Sequence, residues 1–80
     1  MSEYLAELKK KLSGNIGEYE IVDKDSKTIY VVKGGNTVAT IRDAGDVIVI
    51  NLRGKEYRYD KWYSKPEHLA TTLVNYFKGK

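Results

Sequence analysis

The sequence predicts an α+β fold in which an antiparallel β-meander of four to five strands carries one helix at each terminus. A chain of 80 residues can bury one hydrophobic core but not two, so we expect a single domain over residues 1–80. Apolar residues recur at helical spacing near both ends of the chain and at every second position between them. The period-two segments are joined by only two to four residues, which is too short for the crossovers that parallel strands need.

The first helix is predicted over Ser2–Ser13. Ser2 is suited to the N-cap, because its hydroxyl can accept a hydrogen bond from the first turn. Leu5, Leu8 and Leu12 then form one apolar stripe at helical spacing. Gly14 follows the stripe and can adopt the left-handed conformation that ends many helices.

Five segments between the helices are predicted as strands: Glu18–Val22, Lys27–Lys33, Thr37–Arg42, Asp46–Leu52 and Lys55–Asp60. Residues typical of turns separate them: Asp23–Ser26, Gly34–Asn36, Asp43–Gly45 and Arg53–Gly54. The predicted order is therefore α-β-β-β-β-β-α. The sequence leaves open the strand order and whether the two helices share one face of the sheet.

The last helix begins near Ser64, and two residues compete for its N-cap. Ser64 and Glu67 have the spacing of a capping box. A residue that precedes proline resists helical angles, so Lys65 is the alternative cap, with Pro66 in the first turn. Leu69, Ala70, Leu73, Tyr76 and Phe77 line one face of this helix, and Gly79 is expected to end it.

Several classes of protein are disfavoured by composition. The chain has no cysteine, which excludes disulfides, thiolate zinc sites and cysteine nucleophiles. No apolar run approaches the roughly 20 residues that span a bilayer, and the N-terminal segment lacks an apolar signal core. We therefore expect a cytoplasmic protein without a targeting peptide and without membrane association.

Catalytic and cofactor motifs are not found either. The single histidine, His68, has no cysteine or second histidine to act with. Asp23–Ser26 resembles the start of a calcium loop, but the required glutamate position is occupied by Gly34. Asp43 and Asp46 flank a glycine in a predicted turn, where acidic residues are common for conformational reasons. We predict no enzymatic activity, no metal and no cofactor.

One segment mixes basic and aromatic residues in the way that single-stranded nucleic acid binders do. It runs over residues 53–65 and carries a net charge of +3, which equals that of the whole chain. The candidate nucleic-acid-binding residues are Arg53, Lys55, Arg58 and Lys61, which would contact phosphates, and Trp62 and Tyr63, which would stack on bases. In the other interpretation Tyr57 and Tyr59 face the helices, and the charged side of the strand is solvated.

The fourth strand predicts a contact surface, because it is apolar on both of its faces. If the helices cover Ile48 and Ile50, then Val47 and Val49 lie on the opposite face, near Val32 or Tyr30. These four residues, Val47, Val49, Val32 and Tyr30, are the candidate interface, and a partner subunit would cover them. The alternatives are that the helices lie on opposite faces of the sheet, or that the sheet curls over itself.

The sequence therefore favours a small non-enzymatic binding module. The leading expectation is a protein-interaction domain that self-associates as a homodimer through its sheet. The alternative is a DNA- or RNA-binding protein that uses residues 53–65. We rank it second because three excess positive charges can neutralise only a few phosphates.

Overall fold

The computed structural model describes residues 2–78 as one helix, five strands and a second helix. The elements are α1 Glu3–Leu12, β1 Glu20–Asp25, β2 Thr28–Lys33, β3 Asn36–Asp43, β4 Val47–Leu52, β5 Lys55–Asp60 and α2 Pro66–Lys78. All neighbouring strands are antiparallel, and their order in the sheet is β1-β2-β3-β4-β5. The predicted α+β meander is confirmed, with five strands.

Helix α1 begins and ends where its sequence predicts. Ser2 is the N-cap, and its hydroxyl oxygen accepts a 3.1 Å hydrogen bond from the backbone N–H of Leu5. Lysines 9–11 lie in the last turn, where positive charge is favourable beside the carbonyl end of the helix. Ser13, the C-cap, leaves the helical conformation with a ψ of 128°, and Gly14 then takes a φ of 81°, which glycine adopts without steric cost.

The first strand differs from its predicted position. It begins at Glu20 and continues to Asp25, through residues that the sequence assigns to a turn. The actual turn is only Ser26–Lys27, in which the Asp25 carboxylate accepts a 2.9 Å hydrogen bond from the Lys27 N–H. A bulge between Asp23 and Asp25 absorbs the extra residue, so turn-forming side chains remain compatible with pairing to β2.

Helix α2 uses the second of the two caps that the sequence allows. The Leu69 N–H donates to the Lys65 carbonyl at 3.0 Å, which makes Lys65 the N-cap ahead of Pro66. The Ser64 carbonyl instead accepts a hydrogen bond from the Tyr4 hydroxyl, which links the start of α2 to α1. Gly79, the predicted end of the helix, lies outside the described residues.

Both helices pack on the same face of the sheet, and they contact each other there. The core between them and the sheet is formed by Leu5, Leu8, Leu12, Ile29, Val31, Ile41, Ile48, Ile50, Leu69 and Leu73, all 2% exposed or less. Of the arrangements that the sequence leaves open, the one with helices on opposite faces is thus excluded. No helix in residues 2–78 is long and apolar enough to cross a membrane.

Candidate interaction surface

The face of the sheet that carries no helix, here called the open face, is defined by the register of the strands. One row across it contains Thr28, Arg42, Val49 and Arg58, which are direct cross-strand partners. The next row contains Tyr30, Thr40, Asn51 and Glu56. Because side chains alternate along a strand, Val22, Val32 and Val47 lie on this face as well.

Val49 is buried although no helix covers it. Its exposed fraction is 7%, and it is not part of the main core. Arg42 and Arg58 lie directly opposite it on the two neighbouring strands, and long arginine stems can cover apolar surface while their charged ends stay in water. Val49 also lines a shallow depression of about 250 Å³ in the open face. With 7% of its surface exposed, Val49 has little apolar area left to bury in an interface.

The other apolar residues of the open face form two groups on opposite sides of β3. Val22 and Tyr30 are direct partners on β1 and β2, and Val32 follows Tyr30 on the same face. Val47, on β4, lies on the other side of β3 and precedes Val49. Thr40 and Arg42, on β3, lie between the two groups. The four candidate interface residues thus share one face, but they do not form one continuous patch.

Val22 belongs to this surface and was missed in the sequence. At 44% exposed, it is a large apolar side chain that contacts water on the open face. The signal was present, because Val22 alternates with the inward-facing Ile21. The predicted strand ended at Val22, so Val22 had no expected partner on the next strand. The actual strand continues to Asp25, and Val22 pairs with Tyr30.

The charges of the open face are of both signs. Arg42 and Arg58 lie in one row, while Glu20, Glu56 and Asp60 lie on the two edge strands of the same face. The Arg58 Nε lies 3.9 Å from a Glu56 carboxylate oxygen, and both side chains are more than half exposed. This surface is therefore not a positive track of the kind that follows a phosphate backbone.

The candidate nucleic-acid-binding residues are distributed over two ends and one face of the sheet. Arg53 and Lys55 lie at the β4–β5 turn, Arg58 lies on the open face, and Lys61–Tyr63 follow the far end of β5. Six residues of strand separate the two ends by about 20 Å. Tyr57 and Tyr59 point to the helix-covered face, since they pair with the core residues Ile50 and Ile48.

Lys61 is engaged in an ion pair within the fold. Its ammonium group donates to both carboxylate oxygens of Asp43, at 2.9 and 3.0 Å. Asp43 is 6% exposed and also accepts a 2.9 Å hydrogen bond from the Gly45 N–H. Burial by itself would raise the pKa of Asp43, but the hydrogen bonds from Gly45, Lys61 and Ser2, with the Lys61 charge, hold that pKa below its ordinary value.

Tyr4 shares this cluster, and its phenol is held in the protonated form. The Lys61 ammonium lies 5.7 Å from the centre of the Tyr4 ring, and the Tyr4 hydroxyl donates to the Ser64 carbonyl. Burial, followed by the negative charges of Asp43 and Glu67, raises the pKa of Tyr4 to about 12. The cluster closes the end of the core at which α1 begins.

The raised pKa predicts a loss of stability at high pH. Between the ordinary value of 10.0 and about 12, the unfolded chain releases the Tyr4 proton while the folded chain retains it. The free energy of unfolding is therefore expected to be unaffected by this group below pH 10.0 and to fall as the pH rises toward 12. Urea denaturation of the wild type and Tyr4→Phe over this range tests this, since the variant lacks that part of the decline.

Tyr63→Phe is the matched control, because it removes the same hydroxyl group from a side chain that is 84% exposed. If Tyr4→Phe and Tyr63→Phe decline in parallel with the wild type, Tyr4 is not the group responsible.

Trp62 and Tyr63 are the most exposed of the large hydrophobic side chains in residues 2–78, at 77% and 84%. Both residues lie between β5 and α2, but neither attaches the start of α2 to the core. The Trp62 backbone N–H donates to the Asp60 carboxylate at 2.7 Å, and the Tyr4 hydroxyl links the start of α2 to α1 instead. The Lys65 ammonium lies 5.9 Å from the Trp62 ring centre.

Among residues 2–78, no group of three or more histidine, aspartate or glutamate side chains is arranged so that it could hold a metal ion. His68 lies exposed in the first turns of α2. No protein-family model, no curated protein and no solved structure matches the chain.

Proposed function

We propose that this chain is a non-catalytic protein-interaction domain that self-associates through the open face of its sheet. The observation that supports this most is the asymmetry of the sheet. Both helices lie on one face, while the opposite face exposes apolar side chains. A partner that covers the open face would complete a layered structure around the sheet.

The composition of the open face differs from that of a sheet face built only for solvent. Antiparallel sheets tolerate water on one side, and that side then usually alternates to polar residues. Here Val22, Tyr30, Val32 and Val47 occupy positions that such a pattern would make polar. These side chains are partly or fully exposed, so association would remove apolar surface from water.

A second copy of the chain is the partner that fits this face best. The face carries Arg42 and Arg58 together with Glu20, Glu56 and Asp60, so it contains positive and negative groups that can pair across a symmetric interface. A two-fold axis within the interface can exchange the two apolar groups, so that Val22 and Tyr30 of one copy meet Val47 of the other.

The area of the open face indicates how strong the dimer is expected to be. Four strands of six residues and one of eight cover about 20 by 20 Å, so two copies would bury about 800 Å² in total, which is below the area of stable dimers and in the range of weak association. We therefore expect a dimer that dissociates in the micromolar range. Its molecular mass should depend on protein concentration between about 1 μM and 1 mM.

Val22→Asp is expected to give a folded monomer. The side chain is 44% exposed, so the carboxylate stays hydrated in the isolated chain, but it would be buried against apolar groups in the dimer. Sedimentation equilibrium with circular dichroism on the same samples measures mass and folding together. Ala6→Asp is the matched control, because it adds the same charge at an exposed position of α1, away from the sheet.

The proposal requires that the wild type and Ala6→Asp dimerise alike while Val22→Asp does not. A wild type that remains monomeric at 1 mM would contradict self-association, and a Val22→Asp dimer would place the interface elsewhere.

Nucleic-acid binding remains the second candidate function because of one observation. Trp62 and Tyr63 expose two aromatic rings beside Lys65, and stacking of bases on such rings is worth about 1–3 kcal/mol each. Titration of labelled single- and double-stranded DNA and RNA at two salt concentrations tests this. Salt-sensitive binding that is lost in Trp62→Ala would move this candidate to first place.

A further inference from the structure

A cleft of about 710 Å³ lies at the end of the sheet opposite the Tyr4 cluster. It is formed by the loop between α1 and β1, the two hairpin turns on that side and the end of α2. Its residues are Gly14, Asn15, Ile16, Gly17, Glu18, Tyr19, Lys33, Arg53, Phe77 and Lys78. The volume is in the range of small-molecule sites.

Basic side chains dominate the charge of this cleft. Lys33, Arg53 and Lys78 line it, against the single acid Glu18. The Lys33 ammonium lies 3.3 Å from a Glu18 carboxylate oxygen, so these two charges offset each other. Arg53 and Lys78 make no ion pair with any carboxylate in residues 2–78. Two positive charges thus remain available at one cleft.

Arg53 is held there in an unfavourable backbone conformation. Its φ of 53° makes it the one residue other than glycine in the left-handed region within residues 2–78. Gly54 has a φ of 90°, so this two-residue hairpin is a type I′ turn, for which asparagine, aspartate or glycine is preferred at the first position. Left-handed backbone costs a long side chain about 1 kcal/mol. The turn itself does not explain an arginine at this position.

The apolar part of the cleft lies beside these charges. Tyr19 and Phe77 pack with ring centres 4.5 Å apart, and both line the cleft. The Lys33 ammonium lies 5.2 Å from the centre of the Tyr19 ring. Positive groups and a half-exposed aromatic ring therefore border the same space, a combination that suits a ligand with an anionic end and a flat or apolar end.

We propose that this cleft binds a small phosphate-bearing molecule, with Arg53 and Lys78 contacting the phosphate and Tyr19 contacting the remainder. Arginine is suited to phosphate because its planar group can donate two parallel hydrogen bonds to it. The cleft shares no residue with the open face, so the site does not depend on self-association.

Isothermal titration with AMP and adenosine, and NMR titration of the backbone amides, test the site. AMP is expected to bind at least about tenfold more tightly than adenosine, to bind more weakly at high salt, and to shift the amides of Gly14, Gly17 and Arg53. Inorganic pyrophosphate separates the two parts of the ligand: it should bind more weakly than AMP, because it cannot contact Tyr19.

Arg53→Asn provides the sharpest variant, because it is expected to weaken binding without lowering stability. Asparagine suits the type I′ turn, so the melting temperature should not fall, while AMP affinity should drop about tenfold or more. Lys10→Asn is the control, since it removes one positive charge from an exposed position of α1 that does not line the cleft.

Equal AMP affinity in the wild type and Arg53→Asn would overturn the proposal. So would equal weakening in Lys10→Asn, which would indicate a diffuse charge effect. Absence of AMP binding together with oligonucleotide binding that requires Arg58 or Trp62 would also overturn it, in favour of a nucleic-acid surface.

Discussion

Replacing Asp43 by alanine is expected to lower the free energy of unfolding by about 2–4 kcal/mol. The substitution leaves the Lys61 ammonium, which is 27% exposed, without its counter-charge, and it leaves the Gly45 N–H without an acceptor. Removal of one member of a buried ion pair costs more than the pair contributes, because the remaining charge stays partly desolvated. For a domain of this size the melting temperature should fall by roughly 10–25 °C.

Urea denaturation measures this effect, and two further variants identify its cause. Asp46→Ala removes an exposed carboxylate from the same turn and should change stability by less than about 0.5 kcal/mol. Asp43→Ala combined with Lys61→Met should recover part of the loss, since no unpaired ammonium remains. A double variant as unstable as the sum of its two single variants would show that the ion pair is not the reason.

The pH dependence of Asp43 follows from its lowered pKa. Above the ordinary value of 3.8 the carboxylate is charged in both states, and its contribution to stability is fully present. As the pH falls below 3.8 the unfolded chain takes up a proton first, so this contribution is lost through the folded pKa. The wild type should therefore lose stability on acidification by an increment that Asp43→Asn lacks.

Two valine-to-alanine substitutions should differ strongly although both side chains are buried in strands. Val31 is 0% exposed and packs between the sheet and the helices, where Val31→Ala leaves a cavity and should cost about 2–3 kcal/mol. Val49 is 7% exposed on the open face, beside two arginine side chains that can move into the space. Val49→Ala should cost about 1 kcal/mol or less.

Chemical denaturation at protein concentrations well below about 1 μM compares the two variants without a contribution from self-association. Because both variants remove the same atoms, the difference between their losses in free energy of unfolding reports how far the neighbouring side chains move into the space at each site. Equal losses would mean that Val49 is held as rigidly as the core, so that the open face is a second packed layer.

Much of the fold was predictable from short-range patterns. Strand β5 has the predicted bounds, and Ser2 caps α1 as its hydroxyl suggests. Both depend on local rules: alternation along a strand, and an acceptor for the free N–H groups of a helix start. The bounds of β1 were less predictable, because its pairing with β2 overrides the turn preference of Asp23–Ser26.

The candidate surfaces show a different balance between sequence and structure. Alternation placed Val47 and Val49 on one face of β4, but only the register showed that Arg42 and Arg58 flank Val49. Sequence proximity suggested that Arg53 and Lys61 act together, whereas β5 separates them by about 20 Å. The partner of Lys61 is Asp43, which is 18 residues away in the chain.

By itself, the sequence determined which segments are helices and strands, that neighbouring strands are antiparallel, and where most of the core residues lie. These features follow from periodicity, capping residues and the length of connections, all of which act within a few residues. Only the tertiary structure decided that both helices cover one face and that Lys61 pairs with Asp43. It also decided that Lys33, Arg53 and Lys78 border one cleft. These depend on contacts between residues distant in the chain, which local patterns do not specify.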